Sequence, residues 1–113
     1  MSNTERFASY IAAYARKDLT AISLMFSPEV HLRDWNLSVH GREAALAETA
    51  KNFAAAENIE IEILAMYRSE ATVAGELRIV VNQRHALHVV DVITFGADSK
   101  ILSIRAYLGR PGE

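Results

Sequence analysis

Three residues of this chain pair acid–base chemistry with an apolar setting: Tyr10, Asp34 and Asp91. Asp91 sits among Val89, Val90, Val92 and Ile93. A carboxylate there is costly unless it is paired, hydrogen-bonded or protonated. With no cation among its inward companions, Asp91 is expected to be neutral at pH 7. Tyr10 shares a helical stripe with Phe7, Ile11 and Tyr14, and Asp34 follows the alternating run Val30 to Arg33. A carboxylate placed beside a carbonyl compound can remove a proton from the neighbouring carbon. A phenol and a protonated acid can then donate hydrogen bonds to the enolate oxygen that develops. Taken singly, each residue has a plainer reading. Tyr10 fits core packing, Asp34 a turn before Trp35-Asn36, and Asp91 a solvated edge or a loop cap.

Other chemistries find little support. There are no cysteines, which removes disulfides, thiolate catalysis and cysteine-based metal sites. His31, His40, His85 and His88 lack metal-ligand spacing, so no metal is expected. No phosphate-binding loop, dinucleotide fingerprint or nucleophile elbow is present, and no cofactor is expected. Twelve basic and fourteen acidic residues give a net charge of −2, which argues against a nucleic-acid partner. The longest stretch without a charge, Leu19 to Pro28, is ten residues. A membrane span needs about 20. Glu5 and Arg6 precede any apolar run, unlike a signal peptide. A cytoplasmic protein with no membrane partner is expected.

The elements that must hold the three residues follow from periodicity. The chain has 113 residues, half of them hydrophobic, which suits one domain over 1–113. Ser2 and Glu5 form a capping-box pattern ahead of a helix over about 4–16. Asp18 can cap a second short helix carrying Leu19, Ile22, Met25 and Phe26, ended by Ser27-Pro28. Val30 to about Trp35 reads as a strand, and His40-Gly41 precedes a third helix over about 42–56. Leu46, Ala50, Phe53 and Ala54 form its buried stripe. From residue 59 the period becomes 2, with one strand running from 59 to the joint Arg68-Ser69-Glu70 and others over 71–82, 85–95 and 100–108. Their short joints predict an antiparallel meander. Helices set apart from such a sheet make an α+β domain. In the strand 85–95 Leu87, Val89, Asp91, Ile93 and Phe95 share one face; Ala86, His88, Val90, Val92 and Thr94 share the other. Both are largely apolar, and helices cover only one. The other face is expected to meet a second copy in a homodimer.

The chain resembles the ketosteroid isomerase branch of the NTF2-like superfamily, which also holds the SnoaL-like polyketide cyclases. The likeness runs through Tyr10-Ile11, Asp18-Leu19, Met25-Phe26, Asp34 and the turn His40-Gly41-Arg42-Glu43. It is closest over Ala86 to Val92 and continues through Phe95 and Ile101 to Ala106-Tyr107. The resemblance implies a cone: three N-terminal helices on a strongly curved antiparallel sheet that encloses an apolar pocket. It implies a small apolar carbonyl ligand and catalytic roles for Tyr10, Asp34 and Asp91. Asp34 would shuttle the proton, with Tyr10 and protonated Asp91 donating to the enolate oxygen. Phe26, Trp35, Phe53, Val89 and Leu108 are the expected substrate-binding residues. Trp35 would clamp a flat ligand or plug the cone. Phe26 and Thr49 stand where steroid isomerases place supporting tyrosines, and Leu108 where they place an aromatic lining residue. Three functions remain open: a proton-transfer enzyme, a ligand-binding module without chemistry, and an interaction domain that uses the sheet surface.

Overall fold

The computed structural model describes residues 1–110; Pro111 to Glu113, within the expected 1–113 domain, lie outside them. Helix α1 spans Asn3–Ala15, and Ser2 and Glu5 close a capping box at its start. Lys17 then takes a left-handed turn (φ 58°), and Asp18 accepts from the Ala21 amide to start α2, Leu19–Met25. Strand β1 runs over Phe26–Arg33 and the short β2 over Ser38–His40. Helix α3, Arg42–Ala55, follows Gly41, whose φ of 94° suits glycine. Four longer strands close the chain: β3 Ile59–Ser69, β4 Thr72–Val81, β5 His85–Phe95 and β6 Ile101–Leu108.

The sheet has the order β2-β1-β6-β5-β4-β3. Strands β3 to β6 form the antiparallel meander that their short joints predict. Strand β1, however, pairs with β6 in parallel, so the sheet is mixed rather than wholly antiparallel. The turns fix only neighbouring strands, and a crossover from β1 to β6 leaves no local signature. Two further differences lie nearby. Helix α2 stops at Met25, before Ser27-Pro28, because Phe26 is already extended (φ −79°, ψ 135°). Phe26 pairs with Ile101, and the register shifts between Phe26 and His31. Pro28 lies within that irregularity, where it has no ladder N–H to lose. No helix among the described residues is long and apolar enough to cross a membrane.

Strand alternation sorts the side chains. Val89 is opposite Leu77 and Leu108; Asp91 is opposite Gly75 and Ala106; Ile93 is opposite Val73 and Ile104. These share the inner face, which meets the helices around fully buried Phe7, Ile22, Phe26 and Val30. Gly75 brings α1 close. A Cβ there would sit 2.3 Å from Phe7 Cζ, and Phe7 has no exposed surface into which it could retreat. The missing side chain therefore lets α1 rest on the sheet directly beside Asp91. Gly75→Ala is expected to destabilise the fold by about 1–3 kcal/mol, as overpacking does. Urea unfolding checks it, and an unchanged midpoint would show that α1 is not pinned at this point.

At the wider end, Lys17 Nζ donates to the carbonyl oxygens of Ala56 and Glu57, just past α3. Asn82 Oδ1 accepts from the Glu57 and Asn58 amides. The α1–α2 turn, the end of α3 and the β4–β5 hairpin are thus tied together.

Candidate functional site

A cavity of about 300 Å³ lies between α1, α3 and the inner face of the sheet. Its wall is mostly aliphatic, with Ile59, Ile61, Leu77, Ile79, Leu87 and Val89 among its residues. Tyr10, Asp34 and Asp91 all reach it, from α1, from the end of β1 and from the middle of β5.

Asp91 is half-buried, and the surface it retains is turned to the cavity. Desolvation pushes its carboxyl up to about 7. The neutral acid that its apolar neighbours suggest is thus far more accessible at neutral pH than for an ordinary carboxylate. Tyr10 is 4% exposed, and burial holds its phenol well above the ordinary tyrosine value, with Tyr14 and Asp91 adding to the effect. Neither the Tyr10 hydroxyl nor the Asp91 carboxyl makes a hydrogen bond among the described residues. Both are desolvated groups whose bonding capacity is unspent within the chain, a condition that normally calls for a partner.

Asp34 combines its two readings. Its Oδ1 accepts from the amides of Asn36 (2.7 Å) and Leu37 (3.0 Å), so it does cap a turn. Its Oδ2 makes no hydrogen bond among the described residues, and the residue lines the cavity. The turn thus fixes the carboxylate while leaving one oxygen available.

Of the five residues expected to bind substrate, Trp35 and Val89 line the cavity and three do not. Phe26 is fully buried behind Tyr10, with ring centroids 6.2 Å apart. Phe53 lies behind Tyr14, edge-on at 4.9 Å. Leu108 shares the inner face with Val89 but lies at the strand's end, 44% exposed and outside the cavity wall. Trp35 is 45% exposed, so it borders the opening rather than filling the interior. Thr49 also lines the wall, but its hydroxyl donates to the Ala45 carbonyl at 2.8 Å within α3.

Asn36, in the polar cluster with Asp34 and Trp35, also lines the cavity, as do two polar residues that sequence reasoning gives no role: Tyr14 and Asn52. In the sequence Tyr14 is one more aromatic on the α1 stripe. Its place four residues after Tyr10 is the available signal, since such residues share a helix face. Asn52 lies one turn beyond Thr49 on α3, which is a similarly quiet cue. On the opposite, outer face His31 and His40 stack at 4.0 Å, away from this chemistry.

A cone of three helices on a mixed six-stranded sheet, with acids and phenols around one apolar cavity, defines an NTF2-like architecture. The SnoaL-like domain matches residues 7–104, and the chain belongs to that family. A steroid delta-isomerase from Nocardioides simplex is 28% identical over 109 residues, covering 94% of this chain and 88% of that protein. An NTF2-like protein of unknown function from Cytophaga hutchinsonii superposes with a TM-score of 0.81 at 12% identity, covering 96% of this chain and 91% of that one. SalBIII, described as an epoxide hydrolase/cyclase-like enzyme of salinomycin pyran-ring formation, superposes at 0.82 with 24% identity. The match covers 95% of this chain and 90% of SalBIII. At these identities the two structures speak for the fold alone.

Proposed function

We propose that the chain is a ketosteroid-isomerase-like enzyme that moves a proton between carbons of a small, mainly apolar carbonyl compound, without a cofactor. The observation that carries this reading is the pair of desolvated, unspent groups, Tyr10 and Asp91, on the same cavity wall as Asp34. Asp34 takes a proton from the carbon beside the ketone, and the electron pair moves to the carbonyl oxygen. Tyr10 and protonated Asp91 donate to the oxyanion against a mostly aliphatic wall, where such bonds weigh more than in water. Asp34 then returns the proton two carbons further along, and the double bond ends in conjugation. A cavity of about 300 Å³ favours a compact ligand, since pockets for drug-sized molecules run from roughly 300 to 1,000 Å³. The test is conversion of a panel of β,γ-unsaturated ketones to their conjugated isomers, followed by ultraviolet absorbance.

A second reading, a binding module without chemistry, is favoured by one feature. Among the described residues no second hydroxyl hydrogen-bonds to that of Tyr10: Phe26 is apolar, the Thr49 hydroxyl is committed to α3, and the Tyr14 hydroxyl is engaged by Asn52. Ligands that bind in the cavity and are never turned over would establish that reading.

We also propose that the outer face of the sheet joins two copies of the chain. Val90 and Val92 on β5 are half-buried at its centre. Arg33 and Arg105 lie side by side across β1 and β6, whereas on β3 and β4 the three acids Glu60, Glu62 and Glu76 outnumber Arg78, which lies opposite Glu62. A two-fold axis oblique to the strands lays the basic side of one copy on the acidic side of the other. Light scattering at micromolar concentration and low salt should give the dimer mass. Arg105→Glu should weaken the dimer, and adding Glu62→Arg should restore part of the loss. A monomer mass for the unaltered protein overturns this.

A further inference from the structure

Tyr14 and Asn52 lie on the cavity wall, and the proton transfer outlined above gives them no task. The Tyr14 ring is held edge-on to Phe53 at 4.9 Å and tilted against Tyr10 at 6.1 Å. Its hydroxyl oxygen accepts from Asn52 Nδ2 at 3.1 Å. The phenol's own proton has no acceptor among the described residues. A donor feeding the oxygen polarises the O–H, so Tyr14 is a better donor than an isolated phenol.

Tyr14 and Tyr10 serve different parts of the cavity. Burial holds the Tyr14 phenol above the ordinary tyrosine value, the Asn52 bond opposes this, and negative charge at Asp91 and Asp34 adds to it. Tyr14 follows Tyr10 by one turn of α1, with the ring centroids 6.1 Å apart, so the two hydroxyls reach the cavity at separate points, and of the two only that of Tyr14 is engaged by Asn52. Ile61, Leu77 and Ile79 are apolar, and although Asp34, Asn36 and Asp91 line the same cavity, none of them accepts from Tyr14. Tyr14 is half-buried, so a ligand that fills the cavity displaces the water this donor would otherwise meet; a ligand with a matching atom satisfies it, and one without leaves it unpaired.

We propose that Tyr14, oriented by Asn52, is a specificity-determining residue that donates to a second oxygen of the ligand. The preferred substrates are then hydroxy-carbonyl or dicarbonyl compounds rather than ketones with a single oxygen. This inference rests on the proton-transfer site proposed above. Tyr14 contacts the ligand, and Asn52 is a positioning residue that acts through it.

Naphthols provide the probe, since an aromatic hydroxyl imitates the enolate oxygen and two fused rings keep the ligand compact. Binding of 2-naphthol is compared with that of the dihydroxynaphthalenes by calorimetry. The best dihydroxy isomer should bind the unaltered protein about 3- to 10-fold more tightly, the worth of one added hydrogen bond. Tyr14→Phe should abolish that advantage and leave the 2-naphthol Kd within about twofold. Asn52→Leu, at an exposed helix position, should narrow the advantage and raise the Tyr14 titration midpoint in NMR of ring-labelled protein. Equal losses for both ligands in Tyr14→Phe, or no loss for either, overturn the inference. So does a fall in the Tyr14 midpoint in Asn52→Leu, because the amide would then be taking the phenol's proton. Tyr10→Phe separates the two levels: weakened 2-naphthol binding supports the site itself, whatever Tyr14 does. Failure of every naphthol to bind overturns both.

Discussion

Asp34→Asn should retain ligand binding and lose turnover by about 10²–10⁴-fold, the usual effect of removing a positioned general base. The substitution preserves the shape of the side chain. One amide oxygen can still accept from the Asn36 and Leu37 backbone, as Asp34 Oδ1 does at 2.7 and 3.0 Å. The turn at the cavity mouth should therefore persist, and with it the wall formed by Trp35 and Asn36. What disappears is the free carboxylate oxygen that would take the proton. A split between an unchanged Kd and a collapsed kcat thus isolates chemistry from architecture. The measurement is absorbance-followed isomerisation beside calorimetric binding of one ligand. A variant that turns over as fast as the unaltered protein would remove Asp34 from the mechanism. Loss of binding together with rate would instead make Asp34 a turn residue first.

The parts of this molecule that could be read in advance are those written in a local pattern. The period of 2 from Ile59 onward identifies β3 to β6, and the capping box at Ser2 identifies the start of α1. Strand β2 has only three residues, Ser38–His40, too few for a period to register. Met25-Phe26 continues the apolar spacing of α2, which hides the change to β1 until Phe26 is seen to pair with Ile101. The parallel pairing of β1 with β6 is non-local and has no turn to announce it. The same division applies to the site. Strand parity puts Val89 and Asp91 on one face, and the register sets Leu108, expected there from the family resemblance, beside Val89. Parity does not say how far along the strand a cavity extends, so Leu108 lies on the expected face but beyond the wall. A helix stripe likewise marks what faces inward without giving depth. Phe53 therefore looks like lining when it backs Tyr14, and Tyr14 looks like core when it lines the cavity.

Asp91 carries the prediction with the largest effect on stability, and the sign follows from its environment. Its folded value is about 7 against an ordinary 3.8, and desolvation is the cause. The folded state therefore binds this proton more tightly than the unfolded chain does. Stability contributed by the neutral acid is fully present below about pH 4 and falls as pH rises to about 7, by roughly 1.4 kcal/mol per unit. Across that window the loss is about 2–4 kcal/mol, the lower figure allowing for water reaching the carboxyl through the cavity. Asp91→Asn cannot ionise, so it should be more stable than the unaltered protein by this amount at pH 8, with the gap closing toward pH 4. Urea unfolding at a series of pH values reads that directly. The amide keeps an N–H donor for the oxyanion, so the Asp91→Asn variant should retain most activity. It should also lack the decline above pH 7 that follows deprotonation of the native acid. Asp91→Ala removes the donor and should lose about 2.7–4 kcal/mol of transition-state stabilisation, a rate loss of about 10²–10³-fold. Carbon-detected NMR titration of the carboxyl decides the matter independently of any substrate. A midpoint near the ordinary value of about 3.9 would mean that Asp91 is charged at neutral pH. It would then repel the enolate that it is assigned to stabilise, and Tyr10 would be left as the only donor of the pair.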